Sequence, residues 1–459
     1  MIKYWNQFRL WLRKSRPKLA PTQIIAIVFA LIILAGALLL NLPVSSRNGE
    51  SCGFVPALFT ATSATCVTGL VLFDTWTQWS GFGQTVILCL IEVGGLGCMS
   101  AAAVVVFMLR KKVSLRQRMV MAQALSVSDM DGIVRLQKWV LGGSILIQLS
   151  GALVLFVRFL PEYGALTAAK WGVFHSVSAF CNAGFDIFGK IDPGQSVAMF
   201  QSDPVVLITL MALVVLGGLG FFVWEEVATV RSWKKYSVYT KLVLIMSGIL
   251  LLGGTLGFCL LEWNNPETLG AMSTPDKLLN AFFQSVTLRT AGFASVDQGA
   301  LTDGGKGFSM LLMLLGGSSG STAGGVKVGT FGLLIYSACL YAFGRKHITV
   351  FRRTVPKEDV IRAFTLVTVQ FSVTLLGALI LIGSGVDLMP ALFETFSASA
   401  TVGLSMGLTP ALSMASRLVI MTLMFFGRVG ILTVATLLCD KDVREQNQMQ
   451  YADIHLMIG

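Results

Sequence analysis

Long apolar stretches alternate with short polar breaks along the whole 459-residue chain. Stretches such as 24–40, with the sequence IIAIVFALIILAGALLL, are apolar on every face and approach the roughly 20 residues that span a bilayer as a helix. A transmembrane barrel would instead alternate apolar and polar residues in segments of about ten. The pattern therefore predicts an all-α polytopic membrane protein.

The spanning stretches form four pairs. We place them near 22–42 and 82–110, 137–160 and 203–230, 240–262 and 307–343, and 359–384 and 411–438. Between the members of each pair lies an amphiphilic run, for example 56–65 or 390–400, that is too short to cross a bilayer. Each pair therefore encloses a predicted half-helix that enters the membrane and turns back.

A short glycine-centred motif follows these runs four times, as ATCVTGL, FCNAGF, LRTAGF and SATVGLS. Its glycines are Gly69, Gly184, Gly292 and Gly403, so the copies are 115, 108 and 111 residues apart. Regular self-similarity of this kind indicates homologous units. We expect four tandem helix, pore-loop, helix repeats around one central pore.

The repeats define the predicted organisation of the chain. It comprises a basic N-terminal segment (1–21), repeat 1 (22–110), a linker (111–136), repeat 2 (137–230), repeat 3 (240–343), repeat 4 (359–438) and a C-terminal tail (439–459).

Four extended tails at membrane depth predict a shared pathway, because non-helical backbone is tolerated there only when protein surrounds it or it lines a watery cavity. Glycine lets successive carbonyls turn toward one axis, and rings of backbone carbonyls replace the water shell of potassium. The negative C-terminal ends of the half-helices favour a cation. Glycines in the second helices, at 94–97, 217–220, 316–320 and 427–430, fit either a functional role or close helix packing.

Charge refines the topology of this largely apolar chain, which is 54% hydrophobic and 13% charged with a net charge of +11. Of its 35 lysines and arginines, 25 fall in five clusters between apolar segments, rather than on one face as nucleic-acid binding requires. Positive loops stay in the cytoplasm. We therefore expect a multi-pass protein of the cell membrane with a cytoplasmic N-terminus and no nucleic-acid partner.

Residues suited to catalysis or metal binding are scattered. The eight cysteines form no CxxC pair, and His175, His347 and His455 lie far apart in sequence. The run GGSSGSTAGGVK departs from a phosphate-binding loop because Val326 precedes its lysine. The chain is predicted to be no enzyme and to carry no cofactor of its own.

With four motifs in this order and spacing, nearly the whole chain resembles the Trk/Ktr/HKT superfamily of potassium transporters, and most closely its KtrB-type membrane subunits. The resemblance implies potassium uptake, with potassium as the permeant ion and sodium as an activator or co-ion. It also implies a homodimer in contact with membrane lipids, with one pore per protomer. A cytosolic ring of KtrA- or KtrC-type subunits, which bind ATP or ADP, would regulate it.

The resemblance assigns a selectivity filter that binds potassium by backbone groups only. Its residues are Val67, Thr68 and Gly69; Asn182, Ala183 and Gly184; Thr290, Ala291 and Gly292; and Thr401, Val402 and Gly403. Family members with serine in place of the first glycine tend to admit sodium. The glycine at position 69 therefore favours potassium.

The resemblance further implies a gate. The family's intramembrane loop matches Gly316, Gly317, Ser318, Ser319, Gly320, Ser321, Thr322, Ala323, Gly324 and Gly325, and its membrane-buried arginine matches Arg428. Five glycines in ten residues cannot hold a stable helix, so this loop should interrupt the second helix of repeat 3. Beneath the filter it would obstruct ions unless displaced.

Three acidic residues, Asp74, Asp186 and Asp297, closely follow filter glycines. They either border the outer mouth, where negative charge concentrates cations, or are ordinary solvated loop carboxylates. The fourth repeat has no acidic equivalent, so any such ring is incomplete.

Two cations lie near membrane depth. Arg289, inside the third motif, needs a partner there, and Glu394 and Glu92 lie at a suitable depth. Lys327 either lines the inner mouth or extends toward the lipid headgroups.

A rival interpretation is a secondary transporter of another small cation or solute, coupled to sodium. Such transporters usually contain two repeats of opposite orientation, whereas this chain repeats four times in the same orientation. A membrane-embedded enzyme would need convergent His, Asp, Glu or Cys residues at one depth. The repeat count therefore favours a filter-gated potassium translocator.

Overall fold

The computed structural model describes residues 21–97, 133–345, 348–350 and 353–430. Within these ranges the order first helix, half-helix, second helix occurs four times, which confirms the predicted all-α polytopic fold. The first helices are Pro21–Leu40, Ile133–Tyr163, Val238–Glu262 and Lys357–Gly383. The half-helices are Phe54–Thr65, Ala165–Phe180, Thr274–Thr287 and Leu388–Ala400. The second helices are Gly81–Leu96, Pro204–Leu219 with Phe221–Val230, Asp303–Met313 with Val328–Ala342, and Met414–Val429.

Short elements connect these helices. They are the helix Thr75–Gln78, the 3₁₀ turns Pro43–Ser45, Phe188–Lys190, Ala198–Phe200, Trp233–Lys235 and Thr409–Ala411, and an antiparallel pair of strands, Thr349–Val350 and Arg353–Thr354. Residues 1–20, most of the predicted linker and the C-terminal tail lie outside the described residues, as do His347 and His455.

The four first helices are long and apolar enough to cross a membrane, and the first has a mean hydropathy of 2.9 over 18 residues. The half-helices have 12 to 16 residues. At 1.5 Å per residue they are about 18 to 24 Å long, too short to cross the roughly 30 Å hydrocarbon core. Each unit thus contains one helix long enough to span the membrane and one that is too short to do so.

The sequence prediction placed single second helices at 82–110, 203–230 and 411–438, of which 98–110 and 431–438 lie outside the described residues. The described helices of all three end at a glycine with positive φ, namely Gly97 (85°), Gly220 (92°) and Gly430 (91°). At Gly220 the two pieces meet at a bend of 94°. A residue with a side chain rarely adopts this backbone conformation, so glycine ends the helix inside an otherwise apolar run. The first helix of repeat 2 also begins at Ile133, inside the predicted linker.

The units pack in cyclic order. The second helix of each unit packs against the half-helix of the next one, and Met414–Val429 of the fourth unit packs against Phe54–Thr65 of the first. The four half-helices are therefore held at the centre by eight surrounding helical segments of their own and neighbouring units.

The exterior is apolar, unlike that of a soluble protein. Leucines such as Leu146 and Leu260 face outward with exposed fractions of 70% and 84%. The half-helices at the centre bury many hydroxyl and amide groups, together with the carboxyl group of Glu394. An apolar exterior around a polar centre fits a protein that spans the bilayer and encloses a hydrophilic path.

Candidate cation pathway

After each half-helix the chain runs as a short extended segment that contains the predicted filter residues; we call these the filter segments. Each begins with a non-glycine residue in the left-handed region: Val67 (φ 57°), Asn182 (58°), Thr290 (67°) or Thr401 (55°). Two residues later the filter glycine again has positive φ, between 67° and 96°. This shared backbone path, including a conformation that costs most side chains free energy, marks the segments as equivalent.

The filter segments close into a ring. Each filter glycine lies against the backbone carbonyl that precedes the filter glycine of the next unit. With a Cβ placed on each glycine, the distances to that oxygen are 2.6 Å from Gly69 to Ala183, 2.8 Å from Gly184 to Ala291 and 2.5 Å from Gly292 to Val402, and Gly403 contacts Thr68 in the same way. Only glycine fits at these four positions, because any Cβ would collide with the neighbouring backbone.

Hydroxyl groups at the ends of the half-helices anchor the filter segments. Ser63 and Ser397 accept hydrogen bonds from the backbone N–H of Gly69 (3.1 Å) and Gly403 (3.0 Å). The hydroxyls of Ser178 and Thr287 donate hydrogen bonds to the carbonyls of the residues that follow Gly184 and Gly292, at 2.7 and 2.6 Å. Sequence reasoning missed these four anchoring hydroxyls. Their signal was a hydroxyl residue six positions before the filter glycine in three units, and five in the third.

A cavity of about 360 Å³, which we call the vestibule, opens at the C-terminal end of the filter segments. It is lined by all four filter glycines and by Asp74, Asp186 and Asp297, so the structure brings the three predicted acidic residues to one cavity. Ser405 and Thr409 line it in the fourth unit, which lacks an acid.

The acidic residues of the vestibule differ in environment. Asp74 accepts a hydrogen bond from the N–H of Thr77 at 2.8 Å, and Asp186 accepts one from that of Phe188 at 3.2 Å. Burial, and secondarily the negative charge of Asp74, raises the pKa of Asp186 to about 7. The vestibule therefore contains a carboxyl whose charge changes near neutral pH.

The glycine-rich run 316–325 is not helical and separates Asp303–Met313 from Val328–Ala342, as the sequence predicts. It enters the break of the second unit: the N–H of Ser318 donates to Gly218 O at 2.9 Å, and that of Phe221 donates to Gly320 O at 2.9 Å. The phenol of Tyr239 donates to Ser319 O at 3.1 Å. The bend at Gly220 thus forms the dock for this loop, a relation that neither sequence segment reveals alone.

The same loop lies directly against the end of the filter opposite the vestibule. The hydroxyl of Thr322 hydrogen-bonds Phe180 O and the side chain of Asn182, both at 3.1 Å. A Cβ placed on Gly324 would collide with the Thr401 hydroxyl. The loop therefore contacts the first residue of two filter segments, in units two and four.

Arg428 connects three units. Its guanidinium donates to Thr322 O in the loop, to Gly94 O, and to Gly95 O at 2.8 Å. Gly94 and Gly95 are at the C-terminal end of the second helix of unit one, where the helix dipole is negative and favours a cation. Backbone carbonyls of two other units thus bind this membrane-depth arginine.

The structure gives Arg289 a partner that the sequence could not name. Its guanidinium donates to Ser247 Oγ at 3.2 Å. Glu92 instead accepts from the amide of Gln148 at 2.9 Å, and Glu394 from Ser405 Oγ at 2.8 Å. Depth alone could not show which face of each helix these carboxylates occupy.

Lys327 and the second-helix glycines have local roles. The Lys327 ammonium donates to Ala323 O at 2.7 Å, within the glycine-rich loop. Gly94, Gly217 and Gly427 each lie so close to a half-helix carbonyl that a Cβ would collide with it, which favours close packing as their role.

Comparisons with known proteins identify relatives of this chain. The chain matches the family model described as "TrkH: Cation transport protein" over residues 7–446. It is 40% identical over 454 residues to the potassium/sodium uptake protein NtpJ of Enterococcus hirae, covering 97% of this chain and 99% of that protein. It is also 40% identical over 445 residues to Ktr system potassium uptake protein B of Bacillus subtilis, covering 96% and 97% of the two chains.

Among solved structures, that of the potassium transporter TrkH from Vibrio parahaemolyticus has a TM-score of 0.71 at 18% identity, covering 93% of this chain and 86% of that one. At this identity the likeness establishes the fold alone. The relatives are named as transporters, which confirms that the chain is no enzyme, and the resemblance to Trk and Ktr proteins is confirmed as well. The chain is a multi-pass membrane protein and belongs to the TrkH family of cation transport proteins.

Proposed function

We propose that this protein takes up potassium across the cell membrane through the ring of four filter segments. The observation that carries the proposal is the closure of the ring, in which each filter glycine lies against a carbonyl of the next unit. Carbonyl rings of this kind replace the water shell of a potassium ion. Ktr system potassium uptake protein B of Bacillus subtilis is 40% identical.

The electrostatics of the ring favour a cation. Four half-helices end beside it, and their C-terminal ends carry partial negative charge. At the end opposite the vestibule, the hydroxyls of Thr290 and Thr401 are buried without a hydrogen-bond partner among the described residues. Buried oxygens without a partner call for a water or an ion. We assign them, with the backbone of Val67 and Asn182, to the inner end of the filter.

We further propose that the vestibule is the outer mouth and that the glycine-rich loop is the gate. The three carboxylates of the vestibule would concentrate cations at the entrance. The loop contacts the opposite end of the filter through Thr322 and is held by Arg428. An ion that leaves the filter would meet this loop, whose hydrogen bonds must break or shift before it can pass.

The partner is proposed from the relatives. Ktr system potassium uptake protein B is named as part of a system, which supports regulation of this chain by a separate cytosolic subunit. From the family resemblance, we propose that this subunit binds ATP or ADP. A homodimer surrounded by lipid, with its N-terminus in the cytoplasm, completes the proposal. The basic clusters near the predicted cytoplasmic side support this orientation.

Sodium is the second candidate, as a co-ion or an alternative permeant ion. The observation in its favour is the relative NtpJ, which is named a potassium/sodium uptake protein and is also 40% identical. Coupled flux and simple permeation both remain compatible with a four-segment filter.

Rubidium uptake into liposomes that contain the purified chain tests the proposal. Under an imposed inside-negative potential, external potassium should inhibit the uptake of labelled rubidium at far lower concentration than sodium does. Equal inhibition by both cations would favour the second candidate. Protein that is correctly folded but supports no rubidium uptake, alone or with a Ktr-type nucleotide-binding subunit, would contradict the proposal.

A further inference from the structure

Three of the four half-helices bury a hydrogen-bonding side chain three residues before the anchoring hydroxyl. These side chains are His175, Gln284 and Glu394, with exposed fractions of 0%, 2% and 0%, and we call them the brace residues. They occupy one equivalent helix position in units two, three and four. In unit one the position is Thr60, whose hydroxyl donates to Pro56 O of its own helix instead.

The brace residue of unit two contacts the chain just beyond its filter glycine. The Nε2 of His175 accepts a hydrogen bond from the backbone N–H of Ile187 at 3.1 Å. Its Nδ1 then donates to Trp171 O at 2.7 Å, which requires a neutral imidazole. The ring of Phe188 stacks on the imidazole with centroids 3.7 Å apart.

The other two brace residues make the same kind of connection. Glu394 accepts from Ser405 Oγ at 2.8 Å and from the hydroxyl of Thr409, while the amide of Gln284 donates to Gln298 Oε1 at 2.6 Å. Ser405, Thr409 and Gln298 all line the vestibule. Each brace therefore spans from a half-helix to the chain that leaves the filter.

The braces hold the end of the filter that the anchoring hydroxyls leave free. Those hydroxyls bind at the glycine or at the residue after it, whereas the chain beyond runs along the vestibule, which Asp186, Gln298 and Ser405 line. Without a brace, Ile187 N–H or the Ser405 hydroxyl would lose its buried partner, which is costly, and the segment would relax toward the cavity.

We infer that His175, Gln284 and Glu394 are positioning residues that fix the vestibule end of the filter and thereby set its preference among alkali cations. The inference rests on the proposed potassium filter. A carbonyl ring discriminates potassium from sodium through the spacing and number of its oxygens, so a small movement of one segment changes that preference.

Glu262 provides a matched control. It is a buried carboxylate, 1% exposed, that accepts hydrogen bonds from Thr302 N at 3.0 Å, Thr302 Oγ1 at 2.6 Å and Thr268 Oγ1 at 2.9 Å. Its bonding thus resembles that of Glu394, but none of its partners belongs to a filter segment. A purely structural role for Glu394 predicts that both glutamates respond alike.

The test compares E394A, E394Q and E262A in liposomes, with rubidium uptake inhibited by potassium or by sodium and thermal unfolding measured on the same preparations. We expect E394A to lower the potassium-to-sodium preference about fivefold, the factor that corresponds to roughly 1 kcal/mol for a lost hydrogen bond. E394Q, which keeps the shape and can still hydrogen-bond both hydroxyls, should restore most of the preference. E262A should reduce thermal stability without changing the potassium-to-sodium preference.

A second pair keeps the test decisive if E394A does not fold: H175L removes the acceptor for Ile187, and H175Q retains one. G403S, in the ring itself, separates the two proposals. If G403S lowers the preference while E394A and H175L leave it unchanged, the filter stands and the brace inference is wrong. If G403S also leaves it unchanged, the filter assignment itself fails.

Discussion

At the scale of single residues, the filter glycines meet two requirements together. They adopt positive φ, and they approach a carbonyl of the neighbouring unit too closely for a Cβ. Ala183 O would be 2.6 Å from a Cβ on Gly69. The close approach alone restricts the position to glycine, and it arises from the ring rather than from one segment. The positive φ adds a further cost for a residue with a side chain.

Gly69→Ser should reduce discrimination of potassium against sodium about tenfold, since strain of roughly 1–3 kcal/mol at one segment must be relieved by displacing the adjacent carbonyl. The discrimination is measured by comparing how strongly potassium and sodium inhibit rubidium uptake. Gly81→Ser is the matched control, because a side chain there has open space in the same unit. An unchanged ratio in Gly69→Ser would remove this glycine from the filter.

The carboxyl of Asp186, in the loop beyond the filter, should make uptake sensitive to external pH. Burial and the charge of Asp74 raise its pKa to about 7, so it is negative above that pH and neutral below it. Uptake at low potassium should therefore fall as pH drops from about 8 to 6, because the vestibule attracts cations less strongly.

Variants separate this effect from a general loss of charge. Asp186→Asn should flatten the pH profile, and Asp74→Asn should move its midpoint to lower pH, since one cause of the raised pKa is removed. Asp297→Asn removes a charge from the same cavity and should keep the midpoint. A normal profile in Asp186→Asn would assign the pH dependence elsewhere.

At the scale of elements, the glycine-rich loop acts through its contacts rather than through its own structure. It docks in the bend at Gly220, reaches the filter through Thr322 and is bound by Arg428. Units two and four contact the loop of unit three directly, and unit one does so through Arg428. If the loop is the gate that we propose, movement of any of these helices would affect it.

Arg428→Ala should raise basal cation flux several-fold, because removing its bonds to Thr322 O and the two glycine carbonyls frees the loop, each bond contributing roughly 1–3 kcal/mol. Flux without the regulatory subunit is the readout. Arg417→Ala is the control, since that arginine is on the same helix and donates to Pro410 O at 3.3 Å. Unchanged flux in folded Arg428→Ala protein would contradict the gate.

The hydrophobic pattern predicted the spanning helices, the half-helices and the interruption at 316–325, because each leaves a local mark in composition. It did not predict the break at Gly220, since a glycine inside an apolar run looks the same whether its φ is negative or positive. The contacts of Arg428 with the carbonyls of Gly94 and Gly95 were equally hidden, because backbone atoms carry no residue-specific signal. The brace residues could be recognised only after the four units had been compared in the structure.

At the scale of the whole molecule, the cyclic packing of the units brings four segments that are distant in sequence into one ring. The second helix of each unit supports the half-helix of the next, so a change in one unit is transmitted around the ring. This arrangement supports regulation from outside the membrane through any helix that borders the loop.

Purification from the native membrane in mild detergent should recover a dimer of this chain with a soluble nucleotide-binding protein. Basic cytoplasmic segments would contact either that subunit or anionic lipids, and repeated recovery of lipid alone would favour the latter. Added nucleotide-binding subunit should change rubidium flux in liposomes, and less so for Arg428→Ala. Identical regulation of both proteins would separate the loop from the regulatory pathway.

Anomalous X-ray scattering from crystals grown in rubidium tests the central claim most directly. The account predicts a rubidium peak on the axis between the carbonyls of Thr68, Ala183, Ala291 and Val402, which should weaken when sodium replaces rubidium. Ordered filter segments without density on that axis, in protein that takes up rubidium, would contradict it.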